Sequence, residues 1–175
     1  RPINRNFPPV IKNLIIINAL CWLASITLPR VLDVDIIELF GLHYWGSEAF
    51  KPYQFVTYMF LHDTSSIGHL FFNMFGLWMF GKDIELFWGR NKFLIFYFVT
   101  GIGAGLVQIV VMYFRISAQL PPEMFSMVNS ITVGASGAVF GILLAFGMLF
   151  PNAQLYIIPF PFPIKAKWFV IGYGL

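Results

Sequence analysis

The run FLIFYFVTGIGAGLVQIVVMYF, residues 93–114, decides the class of fold. It holds 22 residues without a charge, and a helix rising 1.5 Å per residue needs about 20 to cross roughly 30 Å of hydrocarbon. The whole chain is 58% hydrophobic and 11% charged, whereas a soluble domain carries about 25% charged residues. We therefore predict an all-α, polytopic transmembrane bundle, because backbone polar groups in lipid must be satisfied within each helix.

The same pattern predicts four further membrane helices around this one. They lie at residues 13–28, 66–81 and 131–150, and from about Trp168 onwards. Pro29 closes the first of these helices, and a charged hinge at residues 82–92 follows the second. Residues 29–65 mix acidic and aromatic side chains and are long for a simple connection, which indicates a structured loop at the membrane interface.

Basic residues predict the orientation of the chain. Eight of the eleven Lys and Arg residues flank the N-terminus, the 82–92 hinge and the connection before Trp168. Because such residues collect on the cytoplasmic side, the N-terminus is predicted to be cytoplasmic, and the second and fourth helices enter from outside. The net charge of +3 thus reflects topology, and no nucleic-acid partner is expected. A single cysteine, Cys21, excludes an intrachain disulfide and a cysteine-rich metal site.

Two short segments carry most of the polar side chains within the apolar runs. The first contains His69 and Asn73, which share one helix face because they are four residues apart. The second is Gly134-Ala-Ser136-Gly137. With helix caps at about residues 66 and 130, His69, Asn73 and Ser136 lie roughly 5, 11 and 9 Å below the outer face. Polar groups at such depths are costly unless they are paired or functional.

Ser136 has the surroundings of a nucleophile. A position near a helix N-terminus offers unpaired N–H groups and the positive end of the helix dipole to an oxyanion. Gly134 and Gly137 flank the hydroxyl without side chains, so a scissile carbonyl has room to approach. Structural roles are also open, because serine and asparagine commonly join membrane helices. Gly137, Gly141 and Ala145 form a small face that lets a neighbouring helix pack closely.

The remaining polar residues are assigned structural roles. His43 and His62, in loop sequence, are predicted to be surface or structural residues. Glu85 and Arg90 are predicted to form a structural charge network on the cytoplasmic side. No charged residue lies within an apolar span, so an ion or proton transporter is the least favoured class of protein.

In these residues the chain resembles the rhomboid intramembrane serine proteases. Gly134-Ala-Ser136-Gly137 is similar to the family's G-x-S-G motif, and His69 with Asn73 is similar to its H-x-x-x-N motif. The preceding segment, residues 56–62, also resembles the family's approach to that helix. The resemblance implies that Ser136 is the nucleophile, while His69, Asn73 and the Ser136 backbone N–H form the oxyanion site. It also implies six core helices and a Ser-His dyad without metal or cofactor.

The resemblance further implies what lies beyond this sequence. The family's general base is a histidine on the last core helix, so we expect it after Leu175. Residues 1–175 are accordingly interpreted as one membrane domain truncated at both ends, with about four and a half of the six helices present. Many members carry Trp-Arg in the first loop, whereas this chain has Tyr53-Gln54.

Two functions are compatible with these features. The first is an endopeptidase of a bacterial plasma membrane, which cleaves transmembrane segments of other proteins near the outer face through an acyl-enzyme. The alternative is a non-catalytic relative, like the derlins, that binds transmembrane segments. Retention of Ser136 together with His69 and Asn73 favours the first.

Overall fold

The computed structural model describes residues 7–155 and 163–174, which are mainly helical. The helices are α1 (Pro9–Leu32), α2 (Ile36–Phe40), α3 (Gln54–Thr57), α4 (Ile67–Trp88), α5 (Arg90–Ser117), α6 (Ser136–Leu149) and α7 (Ala166–Gly174). Two short 3-10 helices cover Tyr58–Phe60 and Pro122–Met127. Two antiparallel pairs of two-residue strands join β1 (Leu42–His43) to β2 (Ile131–Thr132), and β3 (Gln154–Leu155) to β4 (Ile164–Lys165).

Helix α6 lies at the centre of the bundle. It packs against α4, α5 and α7, while α1 packs on the outer side of α4. The core between these helices is apolar and holds the fully buried side chains of Leu77, Ile84, Phe93, Tyr97 and Ile142. Among the described helices, α1 and α5 are long and apolar enough to cross a membrane, and α6 is apolar but has 14 residues. The predicted helical bundle is thus confirmed.

Two helix ends differ from the prediction. Pro29 does not close α1: it lies inside the helix, which continues to Leu32 and ends where Asp33 adopts a left-handed conformation with φ 55°. The predicted charged hinge is also mostly helical, because α4 continues through it to Trp88. The break between α4 and α5 is Gly89, whose φ of 82° is a conformation that glycine adopts without strain.

The fourth predicted helix is shorter than its apolar run. Residues 131–135 are not helical, because Ile131 and Thr132 pair as β2 with β1 of the first loop. Helix α6 therefore begins at Ser136. The fifth helix begins as predicted, near Trp168.

The long first loop is structured, as predicted, and Gln54 anchors it. The Gln54 side chain is buried, and its Oε1 accepts hydrogen bonds from the Lys51 and His43 N–H groups at 3.0 and 3.4 Å. Its Nε2 donates to the Ala49 and Leu39 carbonyls at 3.0 and 3.4 Å. One carboxamide thereby joins α2, β1 and the turn before α3. In this chain the loop is thus anchored by Gln54, without the arginine that many family members carry at that position.

Glu85 joins α4 to the start of α1. Its side chain is 3% exposed, and its carboxylate accepts hydrogen bonds from the Val10 and Ile11 N–H groups at 3.0 and 2.9 Å. These N–H groups belong to the first turn of α1, which has no partner for them within the helix. The predicted network of Glu85 with Arg90 is therefore wrong, since Arg90 is exposed and Glu85 caps a helix instead.

We expect Glu85→Ala to lower the free energy of unfolding by about 3 kcal/mol, because two charge-assisted hydrogen bonds are lost and two buried donors are left unpaired. Asp83→Ala is the matched control on the same helix, and we expect it to stay within about 0.5 kcal/mol of the wild type. Equilibrium unfolding in mixed micelles measures both values. Equal effects of the two substitutions would contradict the capping role.

Candidate active site

Helix α4 positions His69 and Asn73. Ser66 caps this helix by accepting a hydrogen bond from the Gly68 N–H at 3.1 Å, as the sequence allowed. His69 is half-buried and Asn73 is buried, one turn deeper on the same face. The Asn73 Nδ2 donates to the His69 carbonyl at 2.8 Å. An amide nitrogen carries two hydrogens, so the second remains for a group in the site.

Ser136 is the first residue of α6 and its side chain is exposed. The predicted depth of this residue assumed a helix beginning near residue 130, and that helix start was wrong, because α6 begins at Ser136. Instead, the hydroxyl lies at the helix end itself, next to first-turn N–H groups that have no partner within the helix. Donors and hydroxyl therefore share one end of α6, the arrangement that stabilises an oxyanion formed beside the serine.

Gly134 lies between the imidazole and the hydroxyl. A Cβ built on this glycine would be 3.0 Å from His69 Nε2 and 3.6 Å from Ser136 Oγ. Its φ of 129° is also a conformation that residues with side chains rarely adopt. The Gly134 N–H donates to the Tyr58 carbonyl at 3.0 Å, which fixes the turn against the 3-10 helix of the first loop. The absence of a side chain here lets His69 Nε2 face Ser136.

A cavity of about 770 Å³ opens beside these groups, between α4, α6 and α7. His69, Asn73, Ser136 and Gly137 form its polar end. The rest of its wall is apolar and mainly aromatic, formed by Phe72, Phe75, Met79, Phe80, Phe140, Leu143 and Phe169. The cavity is therefore apolar along most of its wall and polar at one end.

Gly137 and Gly141 place α6 close to α5. A Cβ built on Gly137 would meet the Ala104 side chain, and one built on Gly141 would lie 2.7 Å from Thr100 Cβ. Ala145, one turn further, is buried. Helix α5 therefore packs against the small face of α6 at Gly137 and Gly141, directly after Ser136.

His62 is packed behind His69. Its side chain is 0% exposed, as is that of His43, so of the two predicted roles, surface and structural, only the structural one remains for either residue. The two imidazole rings of His62 and His69 meet edge to face with centroids 5.1 Å apart. Burial lowers the pKa of His62 to about 4, and the neighbouring His69 acts in the same direction. His62 is therefore neutral at pH 7 and adds no charge beside His69.

Sequence reasoning missed several residues that build the site. Tyr58 acts through its backbone carbonyl on Gly134, and its hydroxyl donates to the Gly101 carbonyl of α5 at 2.6 Å. Asp63 acts through its backbone N–H, which donates to His69 Nδ1 at 3.2 Å. Backbone contacts of this kind leave no motif, and the one signal for Tyr58 was its place in the segment 56–62.

The arrangement is suited to acyl transfer. A hydroxyl, an imidazole, a carboxamide and helix N-terminal N–H groups converge on one end of an apolar cavity. Within residues 7–155 and 163–174, no three His, Cys, Asp or Glu side chains come together as metal ligands would.

Comparison with known proteins supports a family assignment. The family model of the rhomboid domain matches residues 49–175. A rhomboid-like chloroplast protein of Arabidopsis thaliana, Rhomboid-like protein 11, is 34% identical over 129 residues, which are 71% of this chain and 40% of that protein. Rhomboid protease AarA of Providencia stuartii is 31% identical over 135 residues, 75% of this chain and 47% of that protein.

A third relative is mitochondrial Rhomboid protein 1 of Saccharomyces cerevisiae, 33% identical over 95 residues, which are 54% of this chain and 25% of that protein. The chain thus spans less than half the length of each of these relatives. The family model nevertheless covers most of the residues, including those that line the polar end of the cavity. This chain belongs to the rhomboid family of integral membrane proteins.

Proposed function

We propose that this chain belongs to an intramembrane serine endopeptidase. The observation that carries the proposal is the convergence of Ser136, His69 and Asn73 on one end of an otherwise apolar cavity. In this role the Ser136 hydroxyl attacks the scissile carbonyl and forms an acyl-enzyme. His69 Nε2, the second Asn73 hydrogen and the Ser136 backbone N–H donate to the oxyanion. The 31% identity over 135 residues to Rhomboid protease AarA, a relative named as a protease, supports catalytic activity in this chain.

We propose that the general base is a histidine outside residues 1–175, as the resemblance to the rhomboid proteases implies. His43 and His62 are fully buried, and neither lines the cavity. His69 lines it, but a donor to the oxyanion cannot also take the Ser136 proton. The substrate is a transmembrane segment of another protein, in keeping with the aromatic cavity wall, and neither metal nor cofactor enters the reaction.

The alternative is a non-catalytic, derlin-type protein that binds transmembrane segments at the same cavity. An apolar wall alone would serve both functions. The exposed hydroxyl of Ser136 favours the enzyme, because a protein that only binds apolar segments does not need a hydroxyl beside unpaired helix N–H groups.

A fluorophosphonate probe separates these two functions. In the full-length protein we expect Ser136 to be labelled, because the probe reacts with serines that a positioned base activates. Mass spectrometry of the labelled peptide identifies the site, and Ser130 in the preceding loop is the internal control that should remain unmodified. If Ser136 is not labelled in a folded full-length protein, the derlin-type function is favoured.

We further propose a bacterial inner membrane with the N-terminus in the cytoplasm and Ser136 near the outer face. Single cysteines at exposed positions, Glu123→Cys and Asn91→Cys in a Cys21→Ala background, test this orientation. Impermeant maleimide added to intact cells should label the first position, and the second only after lysis. The reverse pattern would place the site near the cytoplasmic face.

A further inference from the structure

The loop between the 3-10 helix and α4 contacts the site through its backbone. The Asp63 N–H donates to His69 Nδ1 at 3.2 Å. A backbone N–H only donates, so Nδ1 is the acceptor, and a neutral imidazole then carries its proton on Nε2. Nε2 is the nitrogen that faces Gly134 and Ser136. One peptide N–H thus determines whether the ring presents a donor to the site.

Three contacts hold Asp63, the residue that carries this N–H, in place. The Trp22 indole of α1 donates from Nε1 to the Asp63 carbonyl at 3.1 Å. The Asp63 carboxylate accepts from the Ser65 N–H at 2.8 Å and from the Ser65 hydroxyl at 2.7 Å, which closes a tight turn. His62, the residue on the other side of the peptide, is fully buried against the edge of the His69 ring. Asp63 is therefore held by α1 and by the turn at Ser65, and the preceding residue, His62, is held in the core.

We propose that the Asp63 N–H, with Asp63 anchored at its carbonyl by Trp22 of α1, holds His69 as the Nε2–H tautomer and thereby positions it as a donor towards Ser136. Asp63 and Trp22 are positioning residues, since neither contacts the reacting atoms. The proposal rests on the proposed function for its catalytic consequence. Its structural content, the tautomer of His69, can be measured without any catalytic activity.

The first experiment measures the tautomer in the full-length protein with ¹⁵N-labelled histidine. The sequence up to Leu175 has only three histidines, and the His69 signals are assigned by comparison with His69→Gln. In the wild type we expect the protonated nitrogen of His69 to be Nε2. Asp63→Pro deletes the N–H donor and should give a mixture of both tautomers. Trp22→Phe keeps an aromatic ring but removes the indole N–H, and it should also increase the fraction of the Nδ1–H tautomer. This variant carries the test if Asp63→Pro fails to fold.

The second experiment measures catalysis in the same variants. Loss of one positioning hydrogen bond should lower kcat roughly 2- to 10-fold, with KM within about twofold, because the donor acts in the transition state. Asp63→Asn keeps an acceptor for the Ser65 N–H, so the His69 tautomer and kcat should both stay at their wild-type values. Thr64→Ala, in the same loop, is the matched control and should match the wild type.

The outcomes distinguish this proposal from the proposed function. A wild-type His69 protonated on Nδ1 overturns the proposal, and an unchanged tautomer in Trp22→Phe overturns the role of the indole. A tautomer that shifts as expected in a protein without any Ser136-dependent cleavage supports the positioning role while rejecting the endopeptidase.

Discussion

Ser136→Ala is expected to abolish cleavage of a model transmembrane substrate by the full-length protein. Loss of the nucleophile lowers kcat by about 10⁶-fold in serine hydrolases, which is below detection in a gel-based assay. Here the hydroxyl stands at the first residue of α6, and the neighbouring Gly134 and Gly137 supply no substitute. Substrate binding should persist, since the apolar wall of the cavity is unchanged.

The control for this prediction is Ser130→Ala, a serine in the loop before β2 that lies outside the cavity. It should cleave at the wild-type rate. Helix content by circular dichroism and the unfolding midpoint should match the wild type for both variants. Undiminished cleavage by a folded Ser136→Ala protein would end the assignment of the nucleophile.

His69→Ala and Asn73→Ala should each lower kcat by about 100-fold or more, with a smaller effect on KM. The reason is that an oxyanion donor acts mainly in the transition state, where negative charge develops. His69 Nε2 faces Ser136 across Gly134, and Asn73 lines the same end of the cavity, so either loss removes one preorganised donor. Steady-state kinetics with a detergent-solubilised substrate separate the two parameters.

Phe72→Leu provides the comparison for these two variants. Phe72 lines the cavity next to His69 and Asn73, but it offers no hydrogen bond. We expect its substitution to raise KM while kcat stays within about threefold, because an apolar wall binds ground state and transition state alike. If His69→Ala or Asn73→Ala behaved like Phe72→Leu, that residue would be assigned to substrate binding.

Much of the fold was predictable because lipid imposes a strong constraint on sequence. A run such as residues 93–114 cannot be anything but helical in a membrane, and α5 covers it entirely. The boundaries were less predictable, since a proline near a helix end or a few charges past an interface do not by themselves stop a helix. Pro29 and Lys82 both lie within helices, whereas Gly89 alone provides the break.

The polar side chains at the end of the cavity were visible in the sequence, but the way the chain brings them together was not. His69 and Asn73 share a helix face through local spacing, which sequence determines directly. The position of Ser136 depends on β2 pairing with β1, a contact between segments nearly ninety residues apart, and a hydrophobicity pattern does not record such pairing. The apolar run at residues 131–150 therefore predicted a helix over its whole length, whereas its first residues pair with a strand of the first loop.

The sequence by itself determined the class of fold, the helical bundle and the polar residues of the cavity, because each follows from local composition and periodicity. Only the tertiary structure decided how those residues face one another. Gly134 is placed beside His69 by its positive φ and by the hydrogen bond from its N–H to the Tyr58 carbonyl. His69 in turn accepts a hydrogen bond from the Asp63 backbone N–H. Every residue type except proline carries that N–H, so its role depends on where the chain places it rather than on its side chain.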